Sequence, residues 1–183
     1  MLVSTTEMIS KFSEYLKQER NDAIEHLSSV ENSFEGWLKI ELFLWLKSSG
    51  LYSGVEYKTK INKEAFSDKK NVKNCDLWFD DNNQNTHYIE LKVIFNNNNL
   101  HKMARQAAHD YWYMIRIDKE ENPFSGSVVI VGMKFKTDEQ WQGALSKFRV
   151  EAGEGESMKP SFDDFLAGSG EIRICIFTKN YEP

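Results

Sequence analysis

Residues 75–92 read CDLWFDDNNQNTHYIELK. Three side chains able to do chemistry, Asp76, Glu90 and Lys92, fall inside two alternating apolar runs that flank the polar loop 80–86. Pairing the runs antiparallel with Phe79 opposite His87 sets Trp78 against Tyr88 and Asp76 against Glu90. Glu90 and Lys92 then share one face, while Leu91 and Val93 share the other. Two opposed carboxylates repel unless a cation lies between them, and oxygen ligands of this kind suit a hard divalent ion, Mg²⁺ or Mn²⁺. Such an ion polarises a phosphoryl oxygen and acidifies bound water, and a neighbouring lysine adds positive charge beside the water or the phosphate. The chemistry this pattern specifies is phosphodiester hydrolysis.

A Glu-x-Lys triplet alone carries no weight. With 18 Glu and 18 Lys the chain contains two, Glu56-Tyr57-Lys58 and Glu90-Leu91-Lys92, about the number composition gives by chance. Only the second follows a strand aspartate and a polar hairpin loop and precedes a helix, so the first is set aside as a decoy. Asp80 and Asp81 read as loop solubility, and His87 as a strand-end residue.

Elements must position these groups. Ile9, Phe12, Leu16, Ala23, Leu27 and Val30 recur at helical steps and predict an N-terminal helix over 1–31. FEGWLKIELFLWLKS predicts a second helix, capped by Asn32 or Ser33 and ended by Gly50. VEYKTKI reads as a strand and 61–74 as a lysine-rich loop. The hairpin has strands at about 75–79 and 87–95. NNNN at 96–99 leads into a helix from Leu100 to about Ile117. SVVIVGMKF is a buried strand, and Thr137 or Asp138 caps a helix to about Val150. The acidic, Gly-rich stretch 151–170 reads as an exposed excursion, and EIRICIF as the last strand. The order α-α-β-β-β-α-β-α-β predicts an α/β fold, a mixed sheet flanked by helices.

Composition narrows the classes. The 183 residues predict one domain, and 40% hydrophobic with 13% aromatic residues suffices for a core. No apolar run reaches the length of a membrane span, and the N-terminus lacks the pattern of a signal peptide. Cys75 and Cys175 lack a partner motif, so reduced thiols and a cytoplasmic location are expected. The net charge of −5 excludes a uniformly basic surface, but residues 56–150 hold 15 basic against 13 acidic groups. Phosphate contact is therefore expected as a local patch there.

The combined pattern resembles the PD-(D/E)xK nuclease superfamily, the restriction-endonuclease-like fold. The resemblance covers about residues 33–135 in the core order α-β-β-β-α-β, with 1–31 as a helical extension and 137–183 as a C-terminal helix, acidic loop and final strand. It implies Asp76, Glu90 and the backbone carbonyl of Leu91 as metal ligands, and Lys92 as the residue that orients or activates water. The motif's proline is replaced, since Asn74-Cys75 precedes Asp76. The family often adds a glutamate from the first core helix, and two positions compete. At about 100° per residue, Glu41 falls inside the apolar arc of Trp37, Leu38, Leu44 and Trp45, where a bare carboxylate is costly. Glu35 sits where a capping carboxylate is expected. Glu41 is therefore favoured as the fourth site residue, ligating the metal directly or through water.

The implied activity is a Mg²⁺- or Mn²⁺-dependent endonuclease acting on DNA rather than RNA. Candidate nucleic-acid contacts are Lys69, Lys70 and Lys73 in the lysine-rich loop, together with Arg105, Gln106, His109 and Arg116 on the following helix. His101, Arg105, His109, Trp112 and Arg116 form one basic-aromatic stripe there; a face that merely covers a neighbour is the rival reading. A homodimer or a partner protein is the expected alternative source of grip on DNA. The rival function is a catalytically inactive binding module of bacterial or phage defence that keeps the fold.

Overall fold

The computed structural model describes residues 4–28, 34–62, 72–155, 158–166 and 171–181. The N-terminal helix is two helices, α1 (Thr5–Glu19) and α2 (Asn21–Ser28). Ser4 caps α1 by accepting from the Glu7 amide. Helix α3 (Phe34–Ser48) buries Phe34, Leu38, Leu42 and Leu46, and Gly50 ends it at φ 78°. The caps expected at Asn32 and Ser33 lie outside the described residues. The strands are β1 (Tyr52–Lys60), β2 (Val72–Asp80), β3 (Thr86–Phe95), β4 (Pro123–Met133), β5 (Phe162–Phe165) and β6 (Arg173–Asn180). Helix α4 (Leu100–Met114) links β3 to β4, and α5 (Asp138–Glu151), capped by Thr137, follows β4.

The strands make one six-stranded mixed sheet in the order β1-β2-β3-β4-β6-β5. Only β3 and β4 run parallel, which requires a crossover such as α4 to carry the chain back. Helices cover both faces. Leu77, Phe79, Ile89, Leu91 and Val93 pack with Phe12, Leu16, Leu38 and Leu42 on the α1–α3 side. Tyr88, Ile94, Val128 and Ile130 pack with Ala104, Ala107, Ala108, Trp141 and Phe148 on the α4–α5 side. Small residues let α4 lie close to the sheet. At Gly126 a Cβ would stand 1.9 Å from the Met114 carbonyl oxygen. That same carbonyl accepts from Tyr181 Oη at 2.6 Å, so the C-terminal end of α4 is fixed against β4.

One expectation is corrected. The stretch 151–170 is not wholly an exposed excursion, because Phe162–Phe165 adds an edge strand to β6. Its two acids hold it there. Asp163 accepts from Trp141 Nε1 at 2.8 Å, and Asp164 pairs with Lys17. Among the described residues no helix is long and apolar enough to cross a membrane.

Candidate active site

The expected hairpin register is observed: Phe79 pairs with His87, Trp78 with Tyr88 and Leu77 with Ile89. Asp76 and Glu90 are the next pair in line, but the ladder stops one step short of them. From Cys75 back to Val72, β2 is paired to β1 but no longer to β3. Its alternation breaks there too. Leu77 and Phe79 face the α3 side, yet Cys75 joins the α4 side with Tyr88. Where the strands part, the β3 amides facing the gap need acceptors, and carboxylates supply them. Leu91 N–H donates to Asp76 Oδ2 at 2.9 Å, and Val93 N–H donates to Glu35 Oε2 at 2.9 Å.

Three lysines thread these acids together. Lys39, one turn after Glu35 on α3, reaches Asp76 Oδ1 at 2.6 Å and Glu56 at 2.7 Å. Lys73 lies 2.8 Å from Asp110 and 3.5 Å from Glu90 Oε1. Lys92 lies 3.6 Å from both Glu35 and Asp110. The Lys92 pKa is raised: burial opposes its charge, but Glu35, Asp110, Glu90 and Asp76 outweigh burial. Without a metal it is a charged donor.

Glu90 is the anomaly in this network. It is buried, its Oε2 has no hydrogen-bond partner, and its pKa is pushed up to about 8, first by burial and then by the charge of Asp76. An orphaned carboxylate oxygen beside a second carboxylate is the environment a cation relieves. The donor set, Asp76 and Glu90 oxygens, fits a hard divalent ion. Among the described residues, no group of three or more His, Cys, Asp or Glu side chains is gathered to hold a metal. Glu35 and Asp110 turn to lysines instead.

Beside Lys92 a cavity of about 460 Å³ is lined by Lys92, Arg105, Gln106, His109 and Asp110. It places three of the α4 candidates in one cavity with Lys92 and Asp110. Arg105 is also held by Glu151 at 3.1 Å, and the Arg116 guanidinium stacks on Trp112 at 3.5 Å. The stripe on α4 is thus partly tied to its own neighbours.

The structure brings Asp76, Glu90 and Lys92 together and corrects two assignments. Glu41 is not at the site. It accepts from Tyr15 Oη and pairs with Arg20, both at 2.6 Å, so the N-terminal helices supply the partner its apolar position demanded. Glu35, expected as a helix cap, instead reaches the site, where it accepts from the Val93 amide and lies 3.6 Å from Lys92. Lys73 is turned inward against Glu90 and Asp110 rather than outward as a nucleic-acid contact; Lys69 and Lys70 lie outside the described residues. Sequence reasoning missed Lys39 and Asp110. Asp110 falls among Ala107, Ala108, Tyr111 and Met114 on the buried face of α4, a signal of the kind that singled out Glu41. No protein-family model matches the chain, no curated protein is found to be similar, and no solved structure matches its fold.

Proposed function

We propose that the chain is a metal-dependent nuclease of PD-(D/E)xK type, hydrolysing phosphodiester bonds, with DNA as the expected substrate. The single observation that carries this reading is the buried, partnerless Oε2 of Glu90 beside Asp76, with Lys92 two residues further along the same strand. The order α3-β1-β2-β3-α4-β4, with α4 crossing between parallel strands, supports a restriction-endonuclease-like core. A divalent cation held by Asp76 and Glu90, with the Leu91 carbonyl as the further ligand the resemblance implies, would polarise the phosphoryl oxygen and acidify the attacking water.

The chain's own groups do the rest. Glu35 and Asp110 hold the Lys92 ammonium, which donates to the water or to a phosphate oxygen and stabilises developing negative charge. Glu35 also fixes the Val93 amide, and so the course of β3 past the site. Gln106 and His109 offer polar contact to the flanking phosphate in the adjoining cavity.

The test is a panel of labelled DNA and RNA substrates with Mg²⁺ and Mn²⁺. Metal-dependent cleavage is expected, and Asp76→Ala and Lys92→Ala should each abolish it while circular dichroism stays unchanged. Full activity in both variants would sink the proposal. A non-catalytic binding module is favoured by one observation, the neutralisation of the site acids by Lys39, Lys73 and Lys92. That reading requires neither cleavage nor Mn²⁺ binding.

A further inference from the structure

Glu56 belongs to the triplet set aside as a decoy, yet its backbone is unusual. It has φ 53° in the middle of edge strand β1, a left-handed conformation that is strained for a non-glycine residue. The β1–β2 register runs Val55↔Leu77 and Tyr57↔Cys75 on either side of it, which sets Glu56 opposite Asp76 where the alternation of β2 breaks. The strained residue and the broken strand face each other across one pair. What joins them is Lys39, whose Nζ touches Asp76 Oδ1 and Glu56 Oε1 at once.

We propose that Lys39 and Glu56 are positioning residues of the metal centre: Lys39 is a resident cation on Asp76 that yields Oδ1 to an incoming divalent ion and stays bound to Glu56. This rests on the metal-dependent reading of the site.

The geometry leaves a cation on Asp76 no easier route. Oδ2 accepts from the fixed Leu91 amide at 2.9 Å, whereas Oδ1 is held by a side chain that can move, so Oδ1 is the oxygen that can be given up whole to an ion. Displacing an ammonium from a carboxylate in a partly buried site strands its charge unless another carboxylate receives it. Glu56 already touches the same Nζ, so Lys39 need only release one of two contacts. It need not travel into solvent or lose its proton. The strained backbone at Glu56 is accounted for on the same grounds, since an ordinary strand conformation would not direct this side chain to Lys39 in register with Asp76.

The experiment is calorimetric titration of Mn²⁺ into the metal-free wild type and into Lys39→Met, Glu56→Gln and Asp76→Asn. Lys39→Met removes the competitor and should tighten Mn²⁺ binding about tenfold. Glu56→Gln leaves Lys39 no second carboxylate and should weaken it by a similar factor. Asp76→Asn should abolish binding. A merely structural role for Lys39 predicts the opposite sign, because a loosened site binds metal worse. If Lys39→Met does not fold, Lys39→Gln removes the charge while keeping a hydrogen bond, and the same tightening is expected. Wild-type binding that Asp76→Asn abolishes, with Lys39→Met and Glu56→Gln at wild-type affinity, overturns the inference and spares the metal site. Absence of binding in every protein, Lys39→Met included, overturns both.

Discussion

Replacing Glu90 by glutamine should make the metal-free protein more stable, although it removes a charged residue from an ion-pair network. The native carboxyl is raised from its ordinary 4.5 to about 8, so the folded protein keeps a proton that the unfolded chain has already released. Stability therefore falls as pH rises from about 4.5 and stops falling above about 8. Each pH unit in that window removes ~1.4 kcal/mol, which makes the loss roughly 3 kcal/mol by pH 7. Glutamine has no proton to release and escapes that loss. It forfeits the 3.5 Å contact with Lys73, but Lys73 keeps Asp110 at 2.8 Å, so the forfeit should be about 1 kcal/mol. The net expectation is a gain of roughly 2 kcal/mol at pH 7, somewhat more at pH 8.5, and little difference at pH 5. Urea unfolding followed by the fluorescence of the five tryptophans, with chelator present, measures it. Mg²⁺ should stabilise the wild type at pH 8.5 and leave Glu90→Gln unmoved. A wild type whose stability is flat from pH 5 to 8.5, or a glutamine variant less stable at pH 8.5, would refute the reasoning.

Glu35→Gln should lower metal-dependent cleavage at least about tenfold by loosening Lys92, whereas Glu41→Gln should leave the cleavage rate alone and slightly lower the unfolding midpoint. Equal loss in both variants would return Glu41 to the site. Gly126→Ala drives a Cβ into the Met114 carbonyl and should cost roughly 3 kcal/mol or more by chemical unfolding; a neutral result would mean that α4 does not dock on β4 as described. The Cys75 thiol is pushed up to about 12 by burial, with the charge of Glu90 adding to it. A thiol reagent should therefore label it at neutral pH only as fast as the protein opens, and immediate labelling in the native state would contradict the buried strand.

The hairpin register was legible because alternation fixes which residues share a face with Leu77, Phe79, Ile89 and Leu91, and the polar run 80–86 fixes where the strands turn. The end of that register was not legible. Nothing in Cys75-Asp76-Leu77 announces that β2 parts from β3 there, or that the strained Glu56 lies opposite on β1. Element types were read well where the pattern was long, as in α3 and α4, and badly at Phe162–Phe165. Four residues between Gly-rich stretches carry too short an alternation to separate a strand from a loop. The error at Glu41 has a definite physical source. A carboxylate on an apolar arc needs a partner, and helical geometry cannot say whether that partner is a metal, a lysine or, as here, Arg20 and Tyr15 from another helix. Asp110 satisfied the same test and does reach the site.

The charges of the site bear on how it could meet a polyanion. With Glu90 ionised, the acids Glu35, Glu56, Asp76, Glu90 and Asp110 meet the lysines Lys39, Lys73 and Lys92, and the balance is two negative charges. Such a site repels phosphate. Protonation of Glu90 still leaves one negative charge, and at the cost of the carboxylate a cation needs. A divalent ion would bring the balance to neutrality and give the Glu90 Oε2 its missing partner in the same step. The site therefore has reason to hold phosphate and cation together rather than either alone. A chain with a net charge of −5 has little other attraction for nucleic acid at long range. On the proposed reading the cation would take part in binding the substrate as well as in cutting it, and the lysines would keep the carboxylates in place until it arrived.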